Sequence, residues 1–480
     1  MQTLKSNQPP SLRTFFATEL WERYGFYVVQ TLLALYLALH FKWPDKQVYA
    51  LVGSFTALSY LSPVVGGWMA DHLLGQKRAI LIGAIVLLVS YVALSFTVSD
   101  FALSYSLAGI TVGTGLLKPN ISSLLGNEYP VGSPHRENGF MIFYMGLTLG
   151  IILGTTLPSY LNQHFGWPVS FMSAAIGMIF GAATFVSGIY YHRISDYNQH
   201  TLNFRNSGLS LLVLGLLWVA SYYILNYPML ADAVFILGIL FSIFYFIHCV
   251  KSESKEQARQ TIVIGLLCLI SVMFWAFYFQ IFMSLTLFIV RVAKLSLWGI
   301  DFPPPYYVGV QSVGMIVLGF FLLRKKGHTN PKQQCISTGN KFLVAMFSMT
   351  AAYGLITLVC FLTQASSAIS PLYILTAYLL ISLAEMLLSP VGLSAVTLLA
   401  SRKKVSTLMG IFLASLGVGA FLAGKMAGLT AIEITSTSIA DLKLHYASSF
   451  SQLFIFLLVA ALTSTALNYI IQRLMRTTSL

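Results

Sequence analysis

Five ionisable side chains stand inside stretches that are otherwise apolar. They are Glu19, Glu22 and Arg23 in TELWERYGFYVVQ, Lys118 in GTGLLKPN and Glu385 in LAEMLLSPVGLS. Each costs roughly 2.5–3.5 kcal/mol at the middle of a bilayer, so each needs a partner or a purpose. Glu19, Arg23 and Tyr27 are spaced four apart and, with Gln30, draw one polar stripe down a helix. Structural ion pairing is a weak reason to keep such groups, because desolvation offsets most of the attraction. Holding a charged solute is a better one. Arg23 and Lys118 bring two cations to the first half of the chain, and Glu385 is the lone buried carboxylate of the second. That polarity would hold a zwitterion, its carboxylate toward the first half and its ammonium toward the second. Glu19 and Glu22 add proton chemistry. An ionised carboxylate beside Arg23 occupies the guanidinium, and a protonated one frees it; burial and the neighbouring negative charge favour the protonated form, and Arg23 favours the ionised one.

The elements that position these residues follow from composition. Of 480 residues, 57% are hydrophobic and 9% charged, against roughly 25% charged in soluble domains, which excludes a soluble globular protein. The net charge of +13 falls in short clusters between long apolar runs. A nucleic-acid domain would concentrate it on one polar face; this is the pattern of a multispanning membrane protein with basic cytoplasmic loops. Cys249, Cys268, Cys335 and Cys360 show no C-x-x-C spacing and no histidine partners, so no disulfide, metal or catalytic role is assigned to them. There is no H-E-x-x-H and no G-x-S-x-G, which argues against an enzyme. Repeated filter loops and charge rings, which a channel would need, are also absent. The N-terminal stretch carries acidic residues in its first apolar run and no small-residue cleavage site, which does not fit a removed signal peptide.

About 20 apolar residues cross a bilayer as a helix, and the sequence offers fourteen such spans. They lie near 13–42, 46–74, 77–98, 100–125, 136–164, 167–192, 204–226, 229–250, 257–294, 305–324, 339–365, 369–400, 404–430 and 448–474. The runs are too long, and alternate too little, for barrel strands. With the N-terminus inside, twenty Lys and Arg fall on the inner side and five, among them Arg291, on the outer, which places both termini in the cytoplasm. Charged segments flank the spans at 204–250. The predicted fold is therefore all-α, with a six-helix bundle in 1–200, a two-helix insertion in 201–252 and a second six-helix bundle in 253–480. Two six-helix halves are the architecture of the major facilitator superfamily, whose sites lie near the bilayer midplane between them. At about 3.5 Å per extended residue, a dipeptide separates its charged ends by about 7 Å and a tripeptide by about 10 Å, and both fit a cleft between two bundles. Glycine steps such as Gly146, Gly150 and Gly154 read as packing faces.

At the charged positions the chain resembles the proton-dependent oligopeptide transporters, a branch of that superfamily. The family's first-helix signature E-x-x-E-R-F-x-Y-Y stands here as Glu19, Glu22, Arg23, Tyr24, Phe26 and Tyr27. SYLSPVVGGWMADHLLGQKR resembles the end of the second helix, with Tyr60 at a pocket position, followed by the superfamily loop motif. In that motif Gly67, Asp71, Gly75, Lys77 and Arg78 would make a cytoplasmic gate contact. GTGLLKPNISSLLGNEY, FYMGLTLG and AEMLLSPVGLS resemble three further family stretches, the last with Glu385 at the amine-binding glutamate and Ser389 one turn away. The resemblance implies a proton-coupled symporter of di- and tripeptides in a bacterial inner membrane. It would work as a monomer among lipids, without a metal or cofactor other than the coupling proton. Arg23, Lys118 and Tyr27 would engage the peptide carboxylate, Glu385 the amino group, and Glu19, Glu22 and Arg23 the proton. Gln30, Tyr60, Thr148, Trp275, Gln311 and Ser389 complete the expected pocket.

Several family positions differ. Thr148, Thr286 and Gln311 stand where asparagine is frequent, Phe279 where many members have a glutamate, and Gln30 where some have a basic residue. The missing carboxyl at Phe279 shifts the expected proton role to Glu22 and Glu19. A transporter of the same fold for another small solute, such as a peptide-like drug, an amino acid derivative or nitrate, is the alternative. Asn120-Ile-Ser122 fits a glycosylation pattern but lies inside a span, and Lys425 reads as snorkelling to the headgroups.

Overall fold

The computed structural model describes residues 8–129, 135–191, 193–194, 204–323, 331–363, 367–401, 404–432 and 438–476. Among these the chain is almost entirely helical. In order the helices are α1 Ser11–Leu35, α2 Asp45–Met69, α3 Gln76–Ser95, α4 Asp100–Asn127, α5 His135–Phe165, α6 Trp167–Tyr190 and α7 Phe204–Asn226. They continue with α8 Pro228–Ser252, α9 Lys255–Tyr278, α10 Ser284–Val292, α11 Pro304–Leu323, α12 Pro331–Leu362, α13 Pro371–Leu399, α14 Val405–Ala427 and α15 Ile439–Arg476. Fourteen of them have 20 residues or more, about the 30 Å that a hydrocarbon layer demands. Among the described residues eleven spans are long and apolar enough to cross a membrane, and the chain is an integral membrane protein. α1 and α4 are not among the eleven, and these are the helices that carry Glu19, Glu22, Arg23 and Lys118.

One predicted span is broken. The stretch read as 257–294 runs as α9, a 3-10 turn at Phe279–Phe282 and then α10, with Met283 bent to φ −129° and ψ −100°. Backbone groups freed inside a membrane need internal partners, and local side chains supply them. The Gln280 amide donates to the Ala276 carbonyl at 3.3 Å and Thr286 donates to the Ile281 carbonyl at 2.7 Å, while Gln280 also donates to the Ala423 carbonyl of α14 at 2.9 Å and accepts from Ser284 at 2.6 Å. Hydropathy could not reveal the break because the run stays apolar through it. A small hairpin follows, β1 Ser296–Leu297 paired with β2 Ile300–Asp301. Its two turn residues, Trp298 and Gly299, both have positive φ, as a twisted two-residue hairpin requires. α12 and α15 start well before the predicted 339 and 448, since a helix can continue past the hydrocarbon that an apolar count detects.

The chain folds as two compact units, Met1–Leu33 with Leu58–Pro228, and Ala34–Ala57 with Met229–Leu480. The stretch expected as an insertion thus divides at its turn, α7 grouping with the first unit and α8 with the second. In the first unit α7 lies on α4, where the Trp218 indole donates to the Tyr105 carbonyl at 3.1 Å and Ser104 donates to Asn226 at 3.0 Å. In the second unit α8 is pinned to α14 near its start. Phe235 stacks on Phe421 with ring centroids 4.3 Å apart, and Lys425 pairs with Asp232 at 2.6 Å. Lys425, expected to snorkel, therefore has a protein partner. Arg291, counted above with the outer loop, is bound on two sides. It forks onto Asp45 at 2.6 and 2.7 Å and donates to the Tyr446 hydroxyl at 3.0 Å, while the Ile432 amide donates to the same carboxylate at 3.0 Å.

Candidate functional site

In the first unit the polar stripe is fixed by glycines. A Cβ at Gly150 of α5 would meet the Leu20 carbonyl oxygen at 2.3 Å and the Arg23 Cβ at 2.9 Å. At Gly154 it would meet the Tyr24 carbonyl at 2.6 Å, and at Gly181 of α6 the Trp21 Cβ at 3.2 Å. Tyr24 donates to Ser173 at 2.7 Å, and the Tyr91 ring of α3 lies against Gly25. α1 is therefore set by close backbone contact, and the expected packing faces are what hold its charges in place. Gly150→Leu should drive α1 outward; we expect a loss of at least about 1–3 kcal/mol of stability, the usual range for overpacking, read as a lowered Tm together with lost uptake.

Glu19, Glu22 and Arg23 are all at most 3% exposed. The Arg23 fork closes on its neighbour Glu22, with Nη2 to Oε1 at 2.5 Å and Nε bonded to Oε2. Glu19 Oε1 lies 3.6 Å from the same Nε. The i,i+4 pair that spacing suggested is thus the looser of the two. Oε2 of Glu19 is buried with no hydrogen-bond partner among the described residues. The guanidinium carbon lies over the Phe26 ring, 5.1 Å from its centroid. Two carboxyls sharing one guanidinium give the group a charge of −1 with both ionised and zero with one protonated.

Lys118 completes this cluster from α4. Pro119, next in the chain, cannot donate the backbone hydrogen bond that Gly115 would receive. The freed Gly115 carbonyl lies where a Cβ on Gly66 of α2 would come within 2.0 Å of it, so α2 and α4 meet backbone to backbone one turn from the lysine. That approach brings the Lys118 ammonium to 4.7 Å from the Tyr60 ring centroid. Glu19, Glu22 and Arg23 all lie within its electrostatic reach. Tyr27 is half-buried and Gln30 buried on the same stripe. Thr148, half-buried on α5, donates to its own helix at the Tyr144 carbonyl, 2.9 Å away.

The second unit gathers its own group around Glu385, which is partly buried on α13. The Gln311 amide donates to its carboxylate, and the Tyr278 hydroxyl bonds it as well. Gln311 is held in turn, since Ser382 of α13 donates to its backbone carbonyl at 2.9 Å. Trp275 packs edge-on against Tyr278 with centroids 4.9 Å apart, and its buried indole N–H has no partner among the described residues. Ser389 is half-buried one turn along α13 from Glu385. Phe279 is 1% exposed between Trp275 and Phe282, and Thr286 spends its hydroxyl on the helix break. Of the departures from the family pattern, only Gln311 touches the carboxylate. Tyr278 and Tyr91 are additions that no spacing rule separates from the other 23 of 25 tyrosines.

Residues 77–441, well over half of the chain, match the family model described as the POT family. The chain belongs to the POT family. The matched residues include Lys118, Gln311 and Glu385, whereas Glu19, Glu22 and Arg23 precede them. The chain is similar to the uncharacterized transporter YclF of Bacillus subtilis (strain 168), 29% identical over 443 residues that make up 88% of each chain. It is similar to the dipeptide and tripeptide permease A of Proteus mirabilis (strain HI4320), 29% identical over 467 residues and 94% of each chain. Among solved structures it resembles that of the peptide transporter POT in complex with sulfate, with a TM-score of 0.79, 25% identity and 96% of each chain covered. These relatives are transporters and permeases, and this POT protein is not an enzyme.

The loop motif of this POT protein lies in the first unit, on a π-helical turn at Ala70–Leu74 and the start of α3. Gly75 has φ +77°, a region that costs an L-residue strain and suits glycine. Lys77 donates to the Ile194 carbonyl at 3.0 Å, Asp71 and Arg78 are exposed, and Gly67 is open except for Pro119 at 3.9 Å.

Proposed function

We propose that this POT protein is a proton-coupled symporter that imports di- and tripeptides across a bacterial inner membrane by alternating access, with both termini cytoplasmic. The observation that carries the reading is the buried Arg23, gripped by Glu22 and approached by Glu19. A guanidinium so occupied binds a new carboxylate best once a proton has neutralised one of its partners. Lys118 adds the second cation for the peptide carboxylate. Glu385, presented by Gln311 and Tyr278, takes the ammonium end. Tyr27, Gln30, Tyr60, Thr148, Trp275 and Ser389 line the peptide's path, and the loop motif acts in the cytoplasmic gate. The names of the relatives, among them a dipeptide and tripeptide permease, support the substrate class. The protein needs no cofactor beyond the proton and works as a monomer in lipid.

Proteoliposomes holding the protein should accumulate dialanine when the outside is made acid. A pH difference of one unit supplies about 1.36 kcal/mol per proton, enough for roughly tenfold accumulation at one proton per peptide. Uptake no greater than in vesicles without the gradient overturns the proposal. Lys118→Ala should raise the KM for dialanine and leave that for its C-terminal amide nearly unchanged; an equal loss for both would remove Lys118 from carboxylate recognition.

A further inference from the structure

One cavity is lined by none of the residues described for either charged group. It is a groove of about 590 Å³ within the second unit, where α8 stands away from α9 and α14 between Ile239 and Lys251. Ile243, Phe246, Leu269, Val418 and Leu422 are typical of its walls, and α8 shows Phe241 and Phe244 to the outside. The polar atoms along it are few, and Ser415 is already bonded to Ser271 at 2.8 Å. A peptide would find no partners for its backbone here, and an apolar cavity of this kind does not hold water. From Ile239 to Lys251 the groove follows α8 for about 18 Å at about 1.5 Å per residue, close to one leaflet of a hydrocarbon layer about 30 Å thick.

The charge at its end decides the occupant. Lys251, in the last turn of α8, lines the groove, is exposed and makes no ion pair with any described residue. The neighbouring Lys404 is already committed, pairing with Glu253 at 3.2 Å and donating to Ser252 at 2.8 Å. We propose that the groove between α8, α9 and α14 binds one anionic phospholipid, its acyl chain along the apolar walls and its phosphate on Lys251. α8 is fastened to α14 at its other end by Phe235 and Asp232, so the lipid chain fills the seam where protein contact is missing.

Native mass spectrometry of the delipidated full-length protein tests this. The wild type should retain one phosphatidylglycerol, about fivefold more tightly than phosphatidylethanolamine, the gain expected of one basic residue near an anionic headgroup. Lys251→Gln should bring phosphatidylglycerol down to the phosphatidylethanolamine level. Gly265→Leu, placed where a Cβ meets only the Phe246 ring at 3.7 Å, should fill the groove and lower retention of both lipids. Inorganic phosphate should not displace the lipid. Equal binding of the two lipids by the wild type, unchanged phosphatidylglycerol retention in Gly265→Leu, or displacement by phosphate alone would each overturn the assignment.

Discussion

Glu22→Gln should abolish proton-driven peptide accumulation while leaving peptide counterflow measurable. Glutamine keeps the shape of the side chain and can still accept from Arg23, but it carries no charge at any pH. The guanidinium would be left with Glu19, whose nearer oxygen is 3.6 Å away. Stripping a buried charge of every partner costs about 3–5 kcal/mol; retaining Glu19 limits the damage, so the protein should still fold and exchange peptide. What it should lose is the coupling. Under an inward gradient of one pH unit, internal dialanine should fall from about tenfold above the external level to parity, the roughly 1.36 kcal/mol per unit no longer being transmitted. Driven accumulation equal to wild type would place the proton elsewhere.

Glu385→Ala carries the second large effect. The substitution removes the group proposed to take the peptide ammonium and leaves the Gln311 amide and Tyr278 hydroxyl without their shared acceptor. Truncating one side of a hydrogen-bonded charge pair costs about 2 kcal/mol or more, so free-amine peptides should lose at least about thirtyfold in apparent affinity. N-acetylated peptides, which have no ammonium to place, should change by less than about threefold. Competition against labelled dialanine measures both, and an equal loss for the two classes would remove the amine contact.

How far the sequence disclosed this arrangement depended on cost. Glu19, Glu22, Arg23, Lys118 and Glu385 stood out because a charge in an apolar run is expensive, and fourteen long helices followed from the length of those runs. Gly150 and Gly154 could be read as packing faces, but not as the surface that sets the height of Arg23, since spacing does not name the partner helix. The grip of Glu22 on Arg23 was also hidden; adjacent residues on a helix do not ordinarily face one another, and only the long arginine side chain allows it. Gln311 was named as a pocket residue, yet its role in holding Glu385 depends on the pairing of α11 with α13. The break at Phe279–Phe282 left no mark on hydropathy because the run stays apolar through it, and the Gln280 and Thr286 side chains bond the local Ala276 and Ile281 carbonyls. Asp45 and Arg291 belong to segments 246 positions apart in sequence, and counting loop charges treats each as solvated.

Under the proposed function a peptide is recognised by its two charged ends, the carboxylate by Arg23 and Lys118 and the ammonium by Glu385. Equilibrium binding of dialanine, dialanine amide and N-acetyl-dialanine to the purified wild-type protein at one pH tests it most directly. Each blocked peptide should bind at least tenfold more weakly than dialanine, because each forfeits one charged contact. If both blocked peptides bind as tightly as the free one, neither Arg23 with Lys118 nor Glu385 reads a terminus.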